Sequence, residues 1–135
     1  MMGPENINWL AVIGATLSCF FIGGIWYGPL FGKAWMDAFG FTEDDLKKRN
    51  MPLVFGVAFT LSLIAAVNLE MFIGWGDHVS TSFGFFAGFA AGLGWVAAFI
   101  GIIYLFEMRS MKAFLINGGY CVVAMSVMGI ILGTW

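Results

Sequence analysis

Charge is what this sequence has least of. Only 10% of its 135 residues are charged, whereas 61% are hydrophobic and 18% are aromatic. This composition lies far outside the usual range for a soluble domain. The net charge is -2 and no long basic stretch exists, so a nucleic acid would find no electrostatic surface to bind. We therefore expect a protein that is surrounded by the lipid bilayer and binds no nucleic acid.

Charged residues are nearly missing from four long apolar stretches, at residues 8–28, 52–74, 80–106 and 113–134. Each stretch provides about the 20 apolar residues that a spanning helix needs, and such runs satisfy their backbone hydrogen bonds only as helices. The first stretch is too long for the core of a secretory signal and has no Lys or Arg ahead of it, so we expect it to be retained. The sequence thus predicts an all-α integral membrane protein, with four transmembrane helices in one domain over residues 1–135.

Basic residues are absent everywhere except in two connections between the predicted helices. They are Lys33, Lys47, Lys48 and Arg49 between the first and second helices, and Arg109 and Lys112 between the third and fourth. By the positive-inside rule, both connections face the cytoplasm and both termini lie on the outer side of the membrane.

Aromatic residues accompany these basic residues at the predicted helix ends, as is typical of membrane-interface anchors. The predicted anchors are Trp26, Tyr27, Phe31, Lys33, Trp35, Tyr104, Arg109 and Lys112. Within the first connection, Phe31, Trp35 and Phe39 recur at four-residue intervals and predict a short interfacial helix, which we call the aromatic foot. Thr42, with Asp45 three residues later, predicts the N-cap of a second short helix.

Two related strings indicate an internal repeat. Residues 21–35 read "FIGGIWYGPLFGKAW" and residues 99–114 read "FIGIIYLFEMRSMKAF". Each repeat unit contains two spans, so both units enter the membrane with the same polarity. The repeat therefore predicts two tandem helical hairpins related by a pseudo-two-fold axis along the bilayer normal.

Six strings resemble a known bacterial family, domain of unknown function 1761 (DUF1761). They are "NWLAVI", "WYGPLFGKAWM", "GFTEDDLKK", "YLFE", "FLINGGY" and "MGIILGTW", and the resemblance covers nearly the whole chain. It implies a small four-span protein of the bacterial cytoplasmic (inner) membrane, and it brings no established activity with it.

Small residues predict how the helices pack. The third stretch has one ridge of Gly84, Gly88 and Gly92 and a second of Ala90, Gly94 and Ala98. Helices in lipid associate through close backbone approach, so we expect this stretch to be the central, most contacted helix. A four-helix bundle fills its own centre, so a permeation pathway would need to lie between the protomers of a homo-oligomer.

Glu70 is the most informative acidic residue, because it lies about 6 Å of helix rise inside the end of the second stretch. An ionisable group at that depth is by default a functional-site hypothesis. Asn68 is close in sequence but projects from another helix face. Both are pathway candidates; the alternative is that Glu70 reaches the head groups or closes the bundle through a hydrogen bond.

Sulfur-containing residues offer a weaker candidate site. Cys121, Met125 and Met128 follow i, i+4, i+7 spacing and could bind Cu(I), although such a stripe is more often packing. His78 with Asp77 would need further ligands to bind a metal. The sequence contains no nucleophile with an adjacent base and no phosphate-binding loop, so we expect neither an enzyme nor a cofactor.

Three functions remain open from the sequence. The first is a small homo-oligomeric channel or carrier in which Glu70 lines the outer part of a path between protomers. The second is a lipid- or hydrophobe-binding module, or an accessory structural module, which the aromatic foot favours. The third is a Cu(I) site.

Overall fold

A computed structural model describes residues 7–74 and 79–135. Four helical segments are long and apolar enough to cross a membrane: span 1 (Trp9–Leu30), span 2 (Met51–Gly74), span 3 (Thr81–Phe106) and span 4 (Met111–Thr134). No β-strand occurs in these two described ranges. The predicted all-α multi-pass membrane fold is confirmed, with helix ends within a few residues of those predicted.

The spans are divided into shorter elements, and two more helices connect spans 1 and 2. In chain order, they are α1 (Trp9–Ile25), a π-helical turn (Trp26–Leu30), α2 (Gly32–Phe39), α3 (Glu43–Lys47), α4 (Met51–Gly74), α5 (Thr81–Ala91), a π-helical segment (Gly92–Ala97), α6 (Ala98–Phe106) and α7 (Met111–Thr134). Pro29 has no backbone N–H, and the Phe31 amide donates to the Trp26 carbonyl five residues back at 2.8 Å. The π-helical turn follows from this hydrogen bond.

Local capping explains where the connecting helices begin and end. Gly40 ends α2 in the left-handed conformation, with φ of 70°. Thr42 then begins α3 with a complete capping box, in which its hydroxyl accepts from the Asp45 amide and the Asp45 carboxylate accepts from the Thr42 amide. The predicted N-cap is therefore confirmed.

The start of span 1 and the end of span 4 lie at one end of the bundle, and the basic residues lie at the other. The Asn8 side chain donates to the Trp135 carbonyl at 3.2 Å, so the start of span 1 and the end of span 4 are neighbours. We call this the terminal end. The opposite, basic end consists of residues 31–50 and 107–112, which contain all six Lys and Arg residues. That the basic end faces the cytoplasm stays a prediction.

Spans 3 and 4 make the closest helix contact. A Cβ atom added to Gly84 would collide with the Gly129 carbonyl oxygen, and one added to Gly88 would collide with that of Met125. A Cβ on Gly92 would lie 3.0 Å from the Cα of Val122. This ridge of glycines thus brings backbone against backbone, as is common between helices in lipid.

The second small-residue ridge of span 3 has no such role within the chain. Gly94 has no atom of the described residues within 4 Å of its added Cβ position, and Ala90 and Ala98 are exposed. The prediction that span 3 is central is wrong, because only one of its ridges meets a neighbour. Span 4 is central: 39% of the residues in its apolar window are buried, against 11% in span 3.

The buried core lies mainly in the terminal half of the bundle. It consists of small and branched side chains, with Ala11, Val12, Ala15, Ala66 and Ile73 fully buried. Spans 1, 2 and 4 supply most of the core, and Ala87 of span 3 joins it. The basic halves of spans 1 and 2 contribute little to it, and this is where a cavity opens.

Residues at corresponding positions of the internal repeat have similar exposed fractions. Phe21 and its counterpart Phe99 are 71% and 63% exposed, and Ile25 and Ile103 are 40% and 51% exposed. Corresponding residues therefore have similar surroundings, while the pseudo-two-fold axis itself stays a prediction.

Candidate functional site

A groove of about 380 Å³ opens between spans 1 and 2, in the half nearer the basic end. Its lining residues are Cys19, Phe20, Gly23, Gly24, Tyr27, Arg49, Met51, Val54, Phe55, Ala58, Ser62 and Tyr120. Gly24 contributes no side chain, and no described atom lies within 4 Å of its added Cβ position. Phe20 contacts the rings of Phe55 and Phe59 at centroid distances of 6.2 and 6.1 Å, which joins the two spans beside the groove.

The length of the groove along span 2 matches the hydrocarbon thickness of one leaflet of a bilayer. On span 2 it runs from Met51, the first residue of α4, to Ser62 near the middle of that helix. Eleven residues of α-helix rise about 16 Å, which is roughly half of the ~30 Å hydrocarbon thickness. The groove is thus as long as the hydrocarbon layer of the leaflet at the basic end.

Arg49 provides a positive charge at the interfacial end of this groove. It lies between α3 and span 2, and its Nε donates to the Leu46 carbonyl at 3.1 Å. The ion pairs among the described residues are Arg109–Glu107 and Lys112–Asp37. No carboxylate of these residues therefore lies within ion-pair distance of Arg49. The two terminal guanidinium nitrogens therefore remain available to an anion.

A second cavity, of about 550 Å³, lies beside the groove under spans 3 and 4. It is lined by Tyr27, Trp35, Leu46, Arg49, Ile100, Tyr104, Asn117 and Cys121. Tyr27 and Arg49 line both the groove and this cavity. The two spaces are therefore adjacent and share these two residues.

A chain of short hydrogen bonds forms one side of the second cavity. The Tyr27 hydroxyl donates to Asn117 Oδ1 at 2.6 Å, and Asn117 Nδ2 donates to the Tyr104 hydroxyl at 2.6 Å. The orientation of the amide is assigned from this network. In either orientation, one of the two tyrosines keeps a hydroxyl proton that it can donate to a ligand.

The aromatic residues at the end of span 1 direct their polar atoms into the bundle. Trp26 Nε1 donates to the Ile116 carbonyl at 2.8 Å, and the Tyr120 hydroxyl donates to the Cys19 carbonyl at 3.0 Å. Together with the Tyr27–Asn117 bond, these contacts tie span 1 to span 4. The polar atoms of Trp26 and Tyr27 thus bond to span 4, while their place in the head-group layer stays a prediction.

The aromatic foot lies across the basic end of the bundle. Trp35 contacts the Tyr27 ring at 5.6 Å, and Phe39 contacts the Tyr104 ring at 6.1 Å. Phe31 lies against Trp26 at 4.7 Å. The residues of the foot therefore pack mainly on the protein, and Trp35 lines the second cavity.

Ion pairs and a cation–π contact hold this foot in place. Lys112 Nζ lies 2.9 Å from Asp37 Oδ2, and this hydrogen bond holds the pKa of the Asp37 carboxyl below its usual value. Arg109 pairs with Glu107 at 3.5 Å and lies 5.0 Å above the Phe39 ring. Lys33, another predicted anchor, is exposed.

Glu70 and Asn68 lie on different faces of span 2. Asn68 is exposed and donates to the Ile64 carbonyl of its own helix at 2.8 Å. Glu70 is only 6% exposed, and its Oε2 has no hydrogen-bond partner among the residues that the structure describes. The two predicted pathway residues are therefore not brought together.

The predicted sulfur stripe is divided among different neighbours. Met128 Sδ accepts from the Cys19 thiol at 3.0 Å, Met125 packs against Gly92, and Cys121 lines the second cavity. Within residues 7–74 and 79–135, no group of three His, Cys, Asp or Glu side chains could hold a metal ion. His78 and Asp77 lie outside the described residues.

Sequence reasoning missed the most important residues of the site. Arg49 was counted only as a positive charge, and Asn117 and Tyr120 were not singled out. A signal was available for Asn117, since an amide about six residues inside an apolar span needs a partner. Nothing in the sequence indicated that its partners are Tyr27 and Tyr104.

Four helices long and apolar enough to cross a membrane, with a groove between the first two, are the features of a small α-helical multi-pass membrane protein. The chain belongs to the family described as "Protein of unknown function (DUF1761)", whose family model matches residues 10–133. The resemblance found in the sequence is thereby confirmed. Searches of curated proteins and of solved structures found no match.

Proposed function

We propose that the protein binds an anionic membrane lipid, with one acyl chain in the groove between spans 1 and 2 and the phosphate at Arg49. The observation that carries this proposal is the placement of a guanidinium group at the interfacial end of an apolar groove. The groove is about as long as one leaflet's hydrocarbon layer. This is a binding function, and no catalytic step is part of it.

The charges and the walls of the groove both support a lipid as its occupant. Arg49 has no carboxylate partner in the described part of the chain, so an anionic head group would supply the missing counter-charge. Phe20, Phe55 and Val54 give the groove an apolar wall suited to an acyl chain. Gly23 and Gly24 supply the depth.

The groove itself can be tested by filling it. Gly24→Leu adds a side chain where no described atom lies within 4 Å, so the helix keeps its packing while the groove is occupied. Native mass spectrometry of protein purified with phosphatidylglycerol should show bound lipid in wild type and a loss of about tenfold in this variant. Gly94→Leu adds the same bulk in open space outside the groove and should leave the bound lipid unchanged.

The charge can be tested in the same way. Arg49→Gln removes a charge-assisted contact and should lower the retained phosphatidylglycerol by about tenfold. Lys48→Gln removes a neighbouring positive charge that lines neither cavity and should have little effect. Wild-type protein that carries no lipid, or equal lipid in all four variants, would contradict the proposal.

A homo-oligomeric channel or carrier is the second candidate function. The observation that favours it is Glu70, a residue that is 6% exposed and whose Oε2 has no partner among the described residues. The exposed ridge of Ala90, Gly94 and Ala98 offers a surface on which a second copy could pack. Such an assembly would need its path between protomers.

Flux measurements test this second candidate. Liposomes containing wild-type protein should pass ions or small solutes, and Glu70→Gln should reduce the flux. Asn68→Leu tests the second predicted pathway residue, which lies on the exposed face of span 2. A monomer in mild detergent together with no flux under broad ionic conditions would rule this candidate out.

A further inference from the structure

We infer that the second cavity binds the head group of the same lipid. We further infer that it selects phospholipids whose head group carries no ammonium group. This inference rests on the proposed function. Its basis is the continuity of the two spaces, because Tyr27 and Arg49 line both of them. A lipid with its chain in the groove therefore has its phosphate between the groove and the cavity.

The polar groups facing the second cavity are hydrogen-bond donors. Arg49 has two terminal nitrogens that make no hydrogen bond to the described residues. Asn117 uses its oxygen to accept from Tyr27 and one N–H to reach Tyr104, so its second N–H is free. One tyrosine hydroxyl also keeps a proton to donate in either orientation of the amide.

Acidic side chains are missing from this lining. Of the described residues around the cavity, none is Asp or Glu, and the carbonyl oxygen of Asn117 is already occupied. A head group that offers phosphate and hydroxyl oxygens therefore finds donors, whereas an ammonium group finds no carboxylate to pair with. The ligand class is an anionic phospholipid such as phosphatidylglycerol, and a zwitterionic phospholipid is disfavoured.

The volume of the second cavity and the residues that line it fit this assignment. About 550 Å³ is within the usual range of small-molecule pockets. Trp35 of the aromatic foot lines the cavity and contacts the Tyr27 ring, so the foot supplies part of the cavity wall. Asp37 and Lys112 hold the foot against span 4 at 2.9 Å.

Head-group competition is the experiment that tests the inference. Full-length protein is exchanged into nanodiscs with equal amounts of phosphatidylglycerol and phosphatidylethanolamine, and native mass spectrometry counts each bound lipid. Wild type should prefer phosphatidylglycerol. Asn117→Leu should lower this preference by about fivefold, the contribution of one neutral hydrogen bond.

Two further variants keep the test decisive. Asn68→Leu removes an amide that bonds only to its own helix and should leave the preference at the wild-type value. Tyr104→Phe keeps the Tyr27–Asn117 bond and removes one hydroxyl, so it decides the question if Asn117→Leu unfolds. It should lower the preference in the same direction.

The outcomes separate this inference from the proposed function. Wild type that binds no lipid contradicts both. Lipid binding that Gly24→Leu abolishes, with a preference unchanged in Asn117→Leu and Tyr104→Phe, overturns the head-group pocket and leaves the lipid groove standing. A preference that depends on Arg49 alone overturns the pocket as well.

Discussion

The two helical hairpins of this protein, spans 1 and 2 and spans 3 and 4, differ in how closely their helices pack. Spans 3 and 4 meet backbone to backbone, because Gly84 and Gly88 bring the helices against Gly129 and Met125. Spans 1 and 2 meet through side chains in the terminal half and separate into a groove in the basic half. The contrast shows that similar apolar helices meet closely where glycines let the backbones touch, and leave an open groove where side chains keep the backbones apart.

The largest effect should come from breaking the closed hairpin. Gly88→Ala places a methyl group against the Met125 carbonyl, which no change of side-chain rotamer can relieve. We expect a loss of ~3 kcal/mol in the free energy of unfolding, at the upper end of overpacking effects. Gly94→Ala, with open space around its added Cβ position, should cause no loss. Equal unfolding midpoints of the two variants in mild detergent would contradict the tight contact.

The next effect concerns the terminal half of spans 1 and 2. Glu70 is buried and its Oε2 has no partner among the described residues, so its burial costs free energy. Glu70→Leu should therefore raise the free energy of unfolding by about 1–3 kcal/mol, and Glu70→Gln by much less. Thermal unfolding followed by circular dichroism measures both. A destabilised Glu70→Leu variant would indicate that the carboxyl group has a structural partner.

A smaller effect should come from the tie between span 1 and span 4. Trp26→Phe removes the hydrogen bond to the Ile116 carbonyl, at 2.8 Å, and should cost about 1 kcal/mol. Trp95→Phe is the matched control, because Trp95 is 62% exposed. If both substitutions change the unfolding midpoint equally, the indole N–H of Trp26 contributes nothing specific.

The smallest effect should appear in the pH dependence of the foot. Lys112 holds the pKa of Asp37 below its usual value, so the pair contributes fully above the unfolded pKa of about 3.9. Its contribution is lost as the pH falls through the lowered folded value. Asp37 is exposed, so we expect Asp37→Asn to change the midpoint slightly at pH 7 and not at all at low pH. If Asp37→Asn changed the unfolding midpoint more at low pH than at pH 7, the predicted pH dependence of this ion pair would be wrong.

Hydropathy predicted the spans, because their length and composition need no knowledge of their neighbours. Local rules predicted the Thr42 capping box and the first glycine ridge for the same reason. The sequence could not predict which face of each span is buried, since these helices are apolar all round. Trp26 and Tyr27 were therefore predicted only as interface anchors, and their hydrogen bonds to span 4 could not be foreseen. The groove could not be predicted for the same reason, since its position depends on which faces of spans 1 and 2 meet.

The two thiols of this chain differ in access. Cys19 lines the groove but is only 7% exposed, and its thiol donates to Met128, whereas Cys121 is more exposed and lines the second cavity. A thiol-directed alkylating reagent should therefore label Cys121 faster than Cys19, without any engineered cysteine. Labelling kinetics at Cys121 would serve as a built-in reporter of whether that space is occupied or empty.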